Sequence, residues 1–304
     1  MTRVSATARR LAIVCSVLLA VTAAPARAQR VPLDSVRVND TSLVYAFTLT
    51  NQTKVIGRVT RLTADSVRVV SPSVTVSIAR SMVTAVTAYP ASSLHDGVLW
   101  PENPHATRLL FSPTAIPLRK GEGYFADFWI FLASASVGVT DRFSLGGGMT
   151  LIPSGNIADN VFYALPKYAV IKRPTLNVAI GGLLASTPWS GSTRKSLGIL
   201  YGVATKGTRE SNLTLGAGWG YVGNSVSSKP VMTLGGQHRV SKRVALITEN
   251  WFVPFESDAG GFATYGVRFL GEKMAVDLAF GNVVGAGNHF IFPGIPLLGF
   301  AFKF

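Results

Sequence analysis

Four histidines, His95, His105, His238 and His289, are the side chains through which this chain could carry acid–base or metal chemistry. A lipid hydrolase needs a His within hydrogen-bond reach of a Ser, and an Asn to orient the pair. A membrane protease needs paired acids beside a His. Neither constellation is written here. Asn288-His289 has no Ser close by, His95 and His105 fall in a Pro-containing linker, and His238 has the phase of an outward-facing strand residue. A metal needs clustered ligands, and none are clustered. Gly146-Gly147-Gly148 and Gly181-Gly182 sit within strand-like text, where Gly makes room or bends the backbone and does not cradle phosphate. The expectation is no catalysis and no cofactor.

A second set of residues is more telling. Arg108, Asp127, Lys167, Arg239, Glu249, Arg268, Asp277 and Lys303 occur singly in otherwise apolar text, with Gln237 and Thr264 nearby. In the segments that hold Arg268 and Asp277, the neighbours in phase are mostly small or polar and the opposite phase is apolar. Such charges face away from lipid, because a cation on a lipid face costs about 2–4 kcal/mol near mid-membrane. The set holds five cations against three acids. It fits either a polar, mildly anion-favouring lumen or charges that pair across a filled interior and seal it.

The elements that must position these residues are strands. Leu213, Leu215, Ala217, Trp219 and Tyr221 alternate with Thr214, Gly216, Gly218 and Gly220. Leu197, Ile199, Tyr201 and Val203 are expected on the lipid side, opposite Gly198, Gly202 and Ala204. Ala263, Tyr265, Val267 and Phe269 oppose Thr264, Gly266 and Arg268, and Met274, Val276, Leu278 and Phe280 oppose Asp277. Twelve segments of this kind are expected, over residues 106–116, 124–139, 143–152, 161–171, 175–186, 196–205, 212–222, 231–240, 243–253, 262–270, 274–283 and 295–304. Most match the ~10 residues a tilted strand needs to cross a bilayer. The second does not keep phase: Asp127 inward would turn Trp129 and Phe131 inward too, which calls for a bulge or for aromatic packing on a plug. Short charged connections at 140–142, 172–174, 206–211, 241–242 and 271–273 alternate with longer Gly/Ser/Pro/Asn stretches at 117–123, 153–160, 187–195, 223–230, 254–261 and 284–294. Short periplasmic turns and longer outer loops are the bacterial barrel pattern, and twelve is an even number.

Both chain ends agree. Arg3, Arg9 and Arg10, the apolar run 11–24 and the Ala26-Arg27-Ala28 site make a cleaved secretory signal over residues 1–28. Val14 before Cys15 argues against a lipoprotein. The mature chain then holds no Cys, and losing four Arg lowers the net charge from +14 to +10. Cations scattered singly on an exported chain point to anionic lipid or an anion-favouring lumen, and exclude nucleic acid. Charged residues are 14% of the chain, against about 25% in soluble domains, and no apolar run after residue 28 reaches the length of a spanning helix. Apolar text without spanning helices leaves a closed barrel, because an open sheet edge cannot sit in lipid.

The C-terminal strand carries Phe300, Phe302 and Phe304 on one side and Gly299, Ala301 and Lys303 on the other. It resembles the insertion signal of bacterial outer-membrane β-barrels, which implies recognition by the barrel-assembly machinery. Asn103-Pro104-His105-Ala106-Thr107-Arg108-Leu109-Leu110-Phe111-Ser112-Pro113, continuing to Tyr124, is similar to a phrase in uncharacterised outer-membrane proteins with a barrel domain. Near the front, residues 43–50, 54–62, 66–70, 75–79 and 83–88 read as five short strands. Gly57-Arg58-Val59, Asp65 to Val70 and Ser77 to Val83 resemble small SH3-like or Sm-like barrels.

The reading is therefore all-β: a small periplasmic β-domain over 29–90, a linker over 91–105, and an outer-membrane barrel of about 12 strands over 106–304. The expected role is a structural anchor or narrow passive channel, with outer-membrane lipids and a periplasmic protein at residues 29–90 as partners. The rival readings are a secreted soluble β-protein that binds a partner, and a barrel lipid hydrolase.

Overall fold

The computed structural model describes residues 29–71, 74–153, 156–186, 195–254, 259–285 and 291–304. The export signal expected over 1–28, and His289, lie outside them. Among the described residues no helix is long and apolar enough to cross a membrane.

The amino-terminal part is an antiparallel sheet of five strands: β1 (Leu43–Leu49), β2 (Lys54–Leu62), β3 (Ser66–Val70), β4 (Thr75–Ala79) and β5 (Val83–Pro90). They run in the order β5-β1-β2-β3-β4, and the two-residue strand Gln29–Arg30 pairs with the free edge of β5. A 3-10 turn, Arg80–Met82, joins β4 to β5. The period of two sorts the side chains, so that Val67 and Val69 are fully buried while Arg68 between them is exposed. With Tyr45, Phe47, Val59, Ile78 and Val86 they form a core of this sheet's own.

The second part is a closed antiparallel barrel of twelve strands. These are β6 (Gly123–Phe128), β7 (Leu132–Gly138), β8 (Phe143–Thr150), β9 (Phe162–Lys172), β10 (Leu176–Ser186), β11 (Ser196–Gly207), β12 (Ser211–Val222), β13 (Val231–Arg239), β14 (Val244–Pro254), β15 (Ala259–Leu270), β16 (Met274–Gly285) and β17 (Ile295–Lys303). Each pairs with the next, and β17 pairs with β6 through Ala301↔Ala126 and Lys303↔Tyr124 to close the ring. Closure leaves no unpaired edge, the condition for placing a sheet in lipid. Leu200, Leu213, Leu215, Trp219, Phe252, Phe269, Leu278, Phe300 and Phe302 form an exposed apolar exterior. The inward phase carries the opposite chemistry over most of its length.

Twelve strands are present, but two of them are not those expected. Residues 106–116 are no wall strand; they lie inside the barrel. Burial there does not alternate, since Ala106, Thr107, Leu109, Leu110, Ser112, Thr114, Ala115 and Ile116 are all buried. A segment enclosed on every side has no lipid face to alternate with. The lost strand is restored by residues 124–139, which form two strands around a tight turn at Trp129-Ile130-Phe131, with positive φ at Trp129 and Ile130. Those three aromatic and aliphatic side chains are exposed at the turn, which removes the phase conflict in the sequence. The connection at 117–123, expected among the long loops, lies at the end of the barrel that bears the short turns. There Lys120 N donates to Asp141 Oδ1 at 2.9 Å and Gly121 N to Gly138 O at 2.8 Å.

Candidate functional site: an occupied lumen

Residues 101–122 thread the barrel before the first wall strand begins. Their middle folds as a small hairpin, with Leu109 N donating to Ser112 O, Thr114 N donating to Thr107 O, and a bridge between Arg108 and Pro113. A hairpin of this size leaves most of its backbone groups unpaired, and in a dry interior each costs about 1–3 kcal/mol unless it finds a partner. The inward charges supply those partners.

Among the described residues, Arg268 on β15 is the largest fully buried side chain. Its Nε and one terminal nitrogen grip Asp277 of β16 as a fork, at 2.6 and 2.8 Å. The remaining donors reach the carbonyl oxygens of His105 (2.7 Å), Leu109 (2.8 Å) and Arg108 (3.3 Å), and Oε1 of Gln237 (2.9 Å). A planar guanidinium can serve a carboxylate and a backbone turn at once, which an ammonium cannot. Lys167 on β9 works from the opposite wall, with Nζ donating to the carbonyls of Thr107, Thr114 and Ile116 at 2.9–3.2 Å. Glu249 on β14 supplies the complementary charge. Its Oε2 accepts from Phe111 N and Ser112 N, both at 2.9 Å, and its Oε1 accepts from Trp251 Nε1 at 2.7 Å. Thr205 Oγ1 accepts from Ala115 N at 2.8 Å. Cations take the carbonyls and the acid takes the amides, so each wall charge is matched to the backbone group it meets.

A further ionic cluster ties the segment at the short-turn end. Glu122 pairs with Lys303 (2.6 Å) and Arg209 (2.8 Å), and Glu102 pairs with Arg119 (2.5 Å) and Arg209 (3.3 Å). Burial alone would raise the Glu122 carboxyl, but Arg209, Lys303 and the Arg119 amide bring it down to about 2. Arg239 donates to Pro101 O at 2.7 Å, pairs with Glu210 at 2.6 Å, and lies over the Trp100 ring at 5.1 Å.

Six of the eight residues singled out in the sequence, Lys167, Arg239, Glu249, Arg268, Asp277 and Lys303, thus point inward from the wall. Arg108 does not belong to the wall; it is carried by the internal segment. Asp127 is a correction: its register partners are Ala133 and Phe300, which puts it on the face of Phe125 and Phe300, although it is only 6% exposed. The inward phase of β6 is Tyr124, Ala126 and Phe128. β11 is reversed as well. Ile199, Tyr201 and Val203 face the lumen, and Leu200 is the exposed residue. Sequence reasoning missed Glu102, Glu122, Arg209 and Glu210, which lie outside the strands and so carried no phase.

The histidines do not assemble a reactive site among the described residues. His105 is buried inside the barrel, not in a surface linker, edge-on to Tyr124, and neither ring nitrogen has a hydrogen-bond partner. His95 stacks on Trp100. His238 Nδ1 lies 3.0 Å from Ser211 Oγ on the outer face, but nothing orients its other nitrogen. Among the described residues no cluster of metal-ligating side chains occurs.

The segment does not fill the lumen evenly. Leu109 and Leu110 pack on Ile247, Ala279 and Leu297, with Phe128 and Phe262 beside them. That puts the hairpin's apolar side against β14, β16 and β17. On the opposite side a cavity of about 110 Å³ remains between the hairpin and the inward faces of β7 to β13, with Tyr124 of β6 and Trp251 of β14 at its borders.

No protein-family model matches the chain, and no curated protein matches it. Among solved structures, the KdgM porin in complex with disordered oligogalacturonate aligns at 12% identity and a TM-score of 0.42, over 60% of this chain and 98% of that one. Outer-membrane expressed OmpT of Vibrio cholerae aligns at 10% identity and a TM-score of 0.35, over 89% of this chain and 100% of that one. A loop L8 deletion mutant of the same protein gives 8% identity and a TM-score of 0.35, over 86% and 96%.

Proposed function

We propose that this chain is an exported outer-membrane protein whose barrel is sealed by its own pre-barrel segment, and that it anchors the amino-terminal β-domain at the membrane without catalysis. The observation that carries this reading is the docking of residues 101–122 by Arg268, Lys167 and Glu249. Those are the charges that would line an open pore, and here they are consumed by backbone groups. A selective pore needs its lining charge free to meet ions.

The short turns and the C-terminus share one end of the barrel, which in bacterial barrels is the periplasmic end. Tyr89 of the small domain is raised by burial and then by the carboxylate of Glu272, a residue of that same end. Residues 29–90 are therefore assigned to the periplasm, where a protein partner would meet them. Phe300 and Phe302 lie on the exposed face, and Phe304 is assigned to the insertion signal read by the assembly machinery. Deleting Phe304 should lower membrane yield several-fold while export continues.

Fractionation tests the anchor reading. The protein should stay with outer membranes through urea and carbonate washes. Protease added to intact cells should spare residues 29–90, and protease added after the outer membrane is opened should remove them. Release by urea, or cleavage of that domain in intact cells, would contradict it.

A further inference from the structure

The cavity beside the hairpin has a chemistry that the anchor role does not use. Two cations border it, Arg108 and Lys167, and no acid does. Lys167 is committed to three carbonyls. Arg108 is not committed: its side chain makes no ion pair among the described residues, and its Nε is buried without a hydrogen-bond partner. Thr107 Oγ1 and Ser112 Oγ are likewise buried and unpartnered. The pairing of Arg108 with Pro113 sets its side chain on one face of the hairpin, and Thr107 and Ser112, which pair with Thr114 and Leu109, lie on the other. An orphaned guanidinium nitrogen is unusual, because buried polar groups are nearly always paired.

The rest of the wall is apolar. Leu132, Leu165, Leu183, Ile199 and Val231 project inward, with the rings of Tyr163, Tyr201 and Trp251 among them. Leu132, Leu183, Ile199 and Val231 lie near the long-loop ends of their strands, so the apolar part faces the long-loop end of the barrel. Such a cavity, mostly hydrophobic with a few convergent polar groups, has the composition of a small-molecule site. A sealed structural interior would gain more from pairing Arg108 with an acid, as it pairs Arg268 with Asp277.

We propose that the cavity binds a small amphiphile, a hydrocarbon body carrying one carboxylate, with the carboxylate on the Arg108 guanidinium. The anion supplies the missing partner for Arg108, and the tail covers the aliphatic wall. A neutral amphiphile would cover the wall but leave the guanidinium without a counter-ion. A dianion or a sugar acid would set hydroxyls or a second charge against leucines, which offer them nothing.

The test uses the full mature chain in lipid nanodiscs and equilibrium dialysis of radiolabelled octanoate, with empty nanodiscs subtracted. Octanoate should bind saturably at one site, at least tenfold more tightly than octanol. Arg108→Gln should erase that tenfold preference while octanol binding stays unchanged, because the Arg108 side chain makes no contact that holds the hairpin. Ile199→Trp, which fills the apolar side, should abolish both. The proposal is overturned if octanoate and octanol bind alike to the native protein, if binding does not saturate above empty nanodiscs, or if Arg108→Gln keeps the preference.

Discussion

The two sides of this lumen are made from one ring of strands and treat the internal segment in opposite ways. On the β14–β17 side the inward charges are Glu249, Arg268, Asp277 and Lys303, and every one is spent on the internal segment or on its neighbour. On the β7–β13 side the upper wall is aliphatic and aromatic, contact is looser, and a cavity remains. The difference shows what fixes a plug in a barrel. Apolar contact alone would let the hairpin slide, since leucines accept any partner, whereas a buried guanidinium that serves three carbonyls accepts only one placement. Ionic groups set the position, and apolar packing sets how much of the lumen is filled.

The largest effect should come from the centre of the ionic side. Arg268→Met leaves Asp277 buried without a partner and three hairpin carbonyls unserved, at a cost of about 3–5 kcal/mol. Heat-modifiable migration should shift to lower temperature, and protease should reach residues 103–118. The double variant Arg268→Met with Asp277→Leu should recover part of that loss, because it removes both buried charges. Next in size is the outer surface, where Leu215→Arg puts a cation against lipid for about 2–4 kcal/mol and should lower membrane yield. Gly216→Ala, one residue on, asks only that the Thr233 hydroxyl move away from a new Cβ 2.5 Å from it. Equal effects at both positions would mean that the register of β12 is displaced by one.

Packing then separates the two sides directly. Ala279→Leu, set against Leu109 and Leu110 where no space exists, should cost about 1–3 kcal/mol by overpacking. Leu183→Phe on the cavity side adds comparable bulk into open volume and should be close to neutral by thermal unfolding. Equal costs would erase the contrast between the sides. The smallest effect is that of pH on the short-turn end. The Glu122 carboxyl is held at about 2, below its ordinary 4.5, so its contribution is complete above pH 4.5 and is lost as pH falls through 2. Hydrogen exchange at residues 117–123 should rise across that window and stay flat from pH 5 to 8. Glu122→Gln should show the faster exchange at neutral pH.

Most of the barrel was legible because lipid enforces alternation. β12, β15, β16 and β17 carry their apolar phase without interruption, and their faces lie where the alternation puts them. Legibility failed where the lumen stops being polar. β11 has Ile199, Tyr201 and Val203 on one phase and Leu200 on the other, and a rule that sends apolar side chains to lipid picks the fuller phase. That phase borders the cavity, so the misread strand marks the place where the interior is itself apolar. The hairpin was misread for a related reason: Leu109-Leu110-Phe111 looks like wall, but enclosure on all sides removes alternation altogether. Residues 124–139 held their own clue, since sixteen residues exceed one crossing and the phase broke at Asp127. The count of twelve survived because one strand too many at 106–116 offset one too few at 124–139. The small domain's strands were legible from their turns, and the ionic cluster at the short-turn end was not, because loop residues have no phase to read.

Planar-bilayer conductance of the full mature chain tests the sealed lumen most directly. The native protein should give no steps across a wide range of voltage and salt. The double variant Arg268→Met with Lys167→Met, which frees the hairpin from both walls, should give them. Native protein that conducts in the same steps and with the same frequency as the variant would contradict a lumen closed by residues 101–122.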